Sequence, residues 1–240
     1  MARNSFFQFK QFRIEQDRCA MKVCTDACTF GAWAEIAGAK RILDIGTGTG
    51  LLSLMAAQRN PDALIDAVEI DEQAVSQAAE NFKNSPFSSR IKVFEGTIQD
   101  FEPGYLYDAI LVNPPFYQND LRSPDDKVNQ AHHAKSLTFS ELLTAVEKLL
   151  KKGGSWHVLL PVEEGNVLNY SAISRDWLKR RELILSHSLK HSPIRIMRSY
   201  SKMAVSNPPA SSEHLAIYEP ETTRHTLAFR QLLRDFYLKF

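Results

Sequence analysis

Arg41-Ile42-Leu43-Asp44-Ile45-Gly46-Thr47-Gly48-Thr49-Gly50 is the stretch on which the fold turns. Arg41–Ile45 reads as a buried strand, the glycines as a tight turn, and Gly50–Gln58 as the helix that follows. The alternation continues downstream. Strands are expected at Leu64–Ile70, Ile91–Glu95, Asp108–Val112 and Trp156–Leu160. Helices are expected at Glu72–Lys83, with Asp71 as its N-cap, at Phe139–Lys151, ended by Gly153-Gly154, and at Val167–Leu178. Strands alternating with helices signal a parallel sheet covered on both faces. The pattern then changes: Glu182–Leu189, Ile194–Ser206 and His214–Tyr218 read as strands with no helix between them, which suggests antiparallel pairing. Thr226–Leu238 reads as a closing helix, and residues 6–24 as an extended arm leading to a short helix near Ala27–Gly38. The expected architecture is α/β, a seven-stranded mostly parallel sheet with antiparallel strands at its C-terminal edge. One domain is expected over 1–240: an arm and helix (1–38), a core (39–161), and C-terminal strands with a helix (162–240).

Composition narrows the functional classes. The chain has 240 residues, 44% apolar and 24% charged, the profile of a water-soluble globular protein. No apolar run approaches the ~20 residues needed to span a bilayer. The start lacks a secretory leader, so a cytoplasmic protein with no membrane partner is expected. Cys19, Cys24 and Cys28 lack the paired spacing of a zinc site, and no metal is expected. The net charge of +1 conceals two polarised regions. Residues 60–110 carry ten acidic against three basic side chains, whereas residues 175–202 carry eight basic against two acidic. The basic stretch is a candidate surface for a polyanion.

The glycine loop argues for a particular ligand. A dinucleotide fingerprint spaces its glycines G-x-G-x-x-G; Gly46, Gly48 and Gly50 are spaced G-x-G-x-G. Asp44 would repel a pyrophosphate but suits a ligand with a positive amino group, which disfavours a nicotinamide dehydrogenase. S-adenosylmethionine has such an amino group and no phosphate. Glu69, ending the next strand, is placed to accept both ribose hydroxyls.

Asn113-Pro114-Pro115-Phe116 ends the Asp108–Val112 strand, at the carboxyl edge where open α/β sheets bind ligands. An exocyclic amine on a base is a poor nucleophile because its lone pair is delocalised. The Asn113 Oδ1 and the Pro114 carbonyl can accept its two N–H groups and turn the lone pair toward a methyl donor, with proline presetting the backbone. Phe116 offers a face on which the base can stack, worth ~1–3 kcal/mol. The same tripeptide recurs at Asn207-Pro208-Pro209 without glycine loop or aromatic, and is read as a turn.

Taken together, these motifs resemble the class I, Rossmann-like methyltransferases that act on amino groups, over about residues 40–160. Adenine N6, guanine N2 of ribosomal RNA and protein glutamine are substrates of that group. Phe9-Lys10-Gln11-Phe12, Met21-Lys22-Val23, Thr25-Asp26 and Gly31-Ala32-Trp33, with Phe236-Tyr237-Leu238 at the other end, extend the resemblance over the whole chain. That wider pattern is similar to the bacterial valine-tRNA adenine-37 N6-methyltransferases. The resemblance implies S-adenosyl-L-methionine as donor and the anticodon loop of tRNA as partner. It further implies cofactor roles for Thr25, Asp26, Thr97 and Asn113 beside Asp44, Gly46, Gly48, Gly50 and Glu69, and catalytic roles for Asn113, Pro114 and Phe116. The chain departs from the family in having Cys24 and Ala27 where glycine is usual. It also has Thr97, with Asp100 three residues on, where aspartate is common, and His132-His133 where a basic residue is common.

Overall fold

The computed structural model describes residues 5–19, 21–114, 137–202 and 210–240. Pro115, Phe116, His132, His133 and the second Asn-Pro-Pro segment therefore lie outside the described residues.

The arm is a docked hairpin. β1 (Phe6–Gln8) pairs antiparallel with β2 (Arg13–Glu15). Phe9, Phe12 and Ile14 are buried, and Phe9 packs against Tyr237. Ten residues cannot bury a core alone, so the hairpin borrows one from the helices it lies on. α1 (Thr25–Trp33) follows, earlier than expected, then β3 (Arg41–Ile45), α2 (Leu51–Arg59), β4 (Leu64–Glu69), α3 (Glu72–Lys83), β5 (Ile91–Glu95) and β6 (Tyr107–Val112). As expected, the Asp71 side chain caps α3, accepting from Ala74 N at 2.9 Å.

Beyond residue 137 come α4 (Phe139–Leu149), β7 (Leu150–Leu160), α5 (Val162–Ile173), β8 (Leu178–Ser186), β9 (Pro193–Ser201), β10 (Ser211–Ala216) and α6 (Leu227–Leu233). α4 opens on a capping box between Thr138 and Glu141, the reciprocal pairing that satisfies two orphan donors. Gly153-Gly154 does not end that helix. The glycines lie inside β7, where Gly153 is left-handed (φ 86°) and the register against β6 shifts, the signature of a bulge. α5 starts five residues before the expected Val167. Gly165 resembles a breaker, yet a Cβ there would stand 2.3 Å from the Ile196 side chain. The glycine lets the helix lie close on β9.

The remaining strands form one sheet in the order β10-β8-β9-β7-β6-β3-β4-β5. Among the described residues it has eight strands rather than seven. From β7 to β5 all neighbours are parallel, while β9 is antiparallel to both β7 and β8. β10 is parallel to β8, against the expectation of antiparallel pairing. β9 already returns the chain across the sheet, so β10 can run in the direction of β8 on its outer side without a crossover helix. Two apolar clusters cover the faces. One joins the arm, α1, α2 and α6; the other packs α4 and α5 around Trp156 and Tyr200. No described helix is long and apolar enough to cross a membrane.

Candidate active site

The strand order reverses between β3 and β6, so the chain leaves their carboxyl ends in opposite directions and opens a crevice. Val112, Ile45, Val68 and Phe94 are in register across the sheet. The next residues, Asn113, Gly46, Glu69 and Glu95, therefore lie along one edge. Four segments distant in sequence converge at this point.

The loop after β3 is fixed from several sides. Gly46, Gly48 and Gly50 have φ of 71°, 54° and 84°, a region that L side chains rarely adopt. At Gly50 space also forbids a side chain, because a Cβ would lie 2.3 Å from the Phe82 ring. Gly48 N–H donates to Glu69 Oε2 at 2.9 Å. The other carboxylate oxygen, Oε1, accepts from the N–H groups of Ile70 (2.9 Å) and Asp71 (3.1 Å). Glu69 is thus oriented by backbone, half-buried, with lone pairs left for further donors.

Asp44 is fully buried. Its Oδ2 accepts from Thr47 Oγ1 (2.6 Å) and Ser53 Oγ (2.7 Å), while its Oδ1 has no partner among the described residues. Burial pushes its carboxyl from the ordinary 3.8 up to about 6, against the downward pull of those two hydroxyls. A buried carboxylate with one unanswered oxygen suits a cationic donor.

Asn113 is half-buried and Pro114 is buried. The Asn113 Oδ1 is shielded from solvent and has no hydrogen-bond partner among the described residues. Buried acceptors are ordinarily paired, so an oxygen left open at the ligand-binding edge is a functional signal.

Other expected residues are engaged elsewhere. Asp26 opens α1 and forms an ion pair with Arg195 Nε at the start of β9 (2.8 Å); Thr25 receives the Thr29 hydroxyl on its carbonyl. Thr97 Oγ1 donates to Asp100 Oδ2 at 2.6 Å and accepts from Asp100 N–H at 3.2 Å. The two residues close a single turn beyond β5. Gly96 N–H anchors that turn to the Glu69 carbonyl. Three supporting residues went unread in the sequence: Thr47 and Ser53, which hold Asp44, and Asn81. The Asn81 amide donates to the carbonyls of Thr49 and Glu15, and its oxygen accepts from Glu15 N–H. Asn81 thus ties the glycine loop to the arm. Its one legible signal was a polar residue on the buried face of an amphipathic helix.

The basic stretch differs from its sequence appearance. Arg198 is buried (5% exposed): its Nε donates to Glu182 at 2.6 Å, and its two terminal nitrogens reach the Gly165 carbonyl and Asn166 Oδ1. Arg175 and Lys202 pair with Glu147, Lys179 with Glu182, Arg181 with Glu35 and Glu213, Lys190 with Glu221, and Arg195 with Asp26. Arg180 donates to Ser201. In register, Lys179 lies level with Ile110, short of the Asn113 edge.

The methyltransferase small domain family matches residues 34–176. The chain belongs to this methyltransferase family. It is 52% identical over 240 residues, the whole of both chains, to a tRNA1(Val) (adenine(37)-N6)-methyltransferase of Dyadobacter fermentans. It is 40% identical over 238 residues to the protein of the same name from Parabacteroides distasonis, covering 98% of this chain and 99% of the relative. Among solved structures it resembles a predicted O-methyltransferase of Agrobacterium tumefaciens, with a TM-score of 0.67 and 15% identity. That match covers 87% of this chain and 95% of the other. The last likeness is one of fold alone.

Proposed function

We propose that this methyltransferase acts in the cytoplasm on tRNA, placing a methyl group on the N6 amine of adenine 37 in the anticodon loop of valine tRNA. The observation that carries the reading is the unpartnered Asn113 Oδ1, beside the carbonyl of Pro114, on the edge shared with Gly46 and Glu69. Full-length similarity to proteins bearing that activity in their names supports the choice of adenine over guanine or glutamine.

The residues present fit S-adenosylmethionine. The open Asp44 oxygen belongs to a carboxylate bonded to Thr47 of the glycine loop, and Glu69 is turned as an acceptor by three N–H groups. In this reading Asp44 and the loop face the methionine part, Glu69 takes the ribose hydroxyls, and the Thr97–Asp100 turn borders the adenosine. When bound, S-adenosylmethionine supplies an electrophilic methyl on a cationic sulfur. Asn113 Oδ1 and the Pro114 carbonyl bind the two N–H groups of the target amine and restore lone-pair density to nitrogen. Phe116, three residues along the chain, stacks the extruded base. No strong base is needed beside Asn113, because the methylated ammonium surrenders its proton to water.

Nucleoside mass spectrometry of tRNA from cells with and without the gene tests this directly. Loss of N6-methyladenosine, restored by the wild-type gene and not by Asn113→Ala, is expected. Unchanged N6-methyladenosine with loss of a different methylated nucleoside overturns it.

A further inference from the structure

The pairing of the basic stretch leaves open how RNA is gripped beyond the target base. The end of β8, the start of β9 and the turn after β10 meet past the same sheet edge as Asn113. Between them lies an open cleft of about 610 Å³, lined by His187, Ser188, His191, Tyr218, Glu219 and Glu221 among others. His187 and His191 are exposed, with rings edge to face at 5.4 Å and 79°. His187 leans on Tyr218 at 4.8 Å. Tyr218 stacks on His225 (4.8 Å, 28°), and His225 on the buried Phe229 (5.1 Å, 11°). The rings form a column rooted in the core. Ser188 Oγ bonds His191 Nδ1 at 2.7 Å, which fixes that imidazole, and Tyr218 N–H donates to the His187 carbonyl.

The chemistry of the lining selects its ligand. Two carboxylates, Glu219 and Glu221, disfavour a phosphate, and the nearby Lys190 is already paired with Glu221. Flat rings beside carboxylate acceptors suit a flat, unsaturated molecule with N–H groups on its edge. β8 is separated from β6 by β9 and β7, three strand spacings or ~14 Å, a span of a few nucleotides. Building on the tRNA reading above, we infer that this cleft takes a nucleobase of the same RNA loop, a few nucleotides from the methylated adenine. His187 and His191 are its stacking platform, and Glu219 is the acceptor for its edge.

The test uses an unmodified anticodon stem–loop, with abasic nucleotides placed one at a time around the target. Methyl-transfer kinetics and RNA binding by fluorescence anisotropy are measured for the wild type and two double variants. One combines His187→Ala with His191→Ala; the other combines His187→Phe with His191→Phe. Both positions are exposed, so folding is preserved. In the wild type, one abasic position should raise KM about tenfold, the scale of losing one stacked base. The alanine pair should raise KM equally on the intact loop, show no further loss at that abasic position, and keep kcat. The phenylalanine pair should restore KM. Equal KM for wild type and the alanine pair, or losses that simply add, overturns the inference and leaves the tRNA assignment standing. A fall of about one unit in the salt slope in the alanine pair reveals a phosphate contact and also overturns it. Absence of methyl transfer by the wild type to either the stem–loop or full tRNA removes the parent reading, and the cleft assignment with it.

Discussion

The two halves of the sheet handle charge in opposite ways. On β3 and β4 the acidic residues are held by neutral partners. Asp44 is bonded by two hydroxyls and Glu69 by three backbone N–H groups, and each carboxylate keeps its negative charge available. Around β8 and β9 most of the basic residues are answered by acids, several of them on other elements, and Arg198 is buried. The first half preserves charge for a ligand, whereas the second consumes it in holding strands together. A linear excess of lysine and arginine therefore says little about surface potential until the partners are known.

This contrast can be broken or sharpened by experiment. The largest effect expected is on stability. Arg198→Ala removes buried hydrogen bonds to Glu182, the Gly165 carbonyl and Asn166, leaving Glu182 only Lys179 and Ser212, and should cost about 3–5 kcal/mol in denaturant unfolding, with tRNA affinity of the folded protein unchanged; a loss of affinity without a loss of stability would return Arg198 to the RNA surface. Next is Asn113→Ala, which should lower turnover by roughly 10²–10³ and leave cofactor affinity intact in a methyl-transfer assay run beside calorimetry. Glu69→Ala is its mirror: removing one charged acceptor costs ~1.5–3 kcal/mol of cofactor affinity, visible in the same calorimetry.

Asp44 gives a pH signature. Its folded carboxyl sits near 6 against an ordinary 3.8, so its contribution to stability is complete below about pH 4 and is lost as pH rises through 6. Free of ligand, Asp44→Asn should therefore be more stable than wild type at pH 7, by about 3 kcal/mol, with the gap closing near pH 4. Urea titrations at both pH values decide it, and equal stability at pH 7 would mean the carboxylate is better solvated than its burial implies. The smallest effect concerns Lys179→Ala with Arg180→Ala. These positions lie short of the active edge, so tRNA affinity should stay within about twofold and its salt slope should not move.

Elements made by local pattern were legible in the chain. β3 through β6, the Asp71 cap and the glycine loop follow from periodicity and turn chemistry confined to a few neighbouring residues. Readings failed where a distant contact decides. Gly165 sits inside a helix because Ile196 presses on it, and Gly153 sits inside a strand because β7 must bulge against β6. β10 runs parallel because of which side of β8 it joins. Among candidate site residues, Gly46, Glu69 and Asn113 could be placed because each ends or follows a strand at one edge, and Asp44 because it lies one residue before the end of β3. Thr47, Ser53 and Asn81 could not, since hydroxyls and amides gain meaning only from what they touch. Asp26 is the reverse case: a conspicuous acid whose partner, Arg195, lies 169 positions along the chain.

The contact between Gly50 and Phe82 has a practical consequence. One α-hydrogen of Gly50 occupies the direction in which a Cβ would meet the ring, and so lies within reach of an aromatic ring current. Its resonance belongs outside the crowded glycine region of a proton spectrum. The signal is a built-in reporter on the cofactor loop: its shift follows the separation of loop and helix during titration, with no label attached and no residue changed.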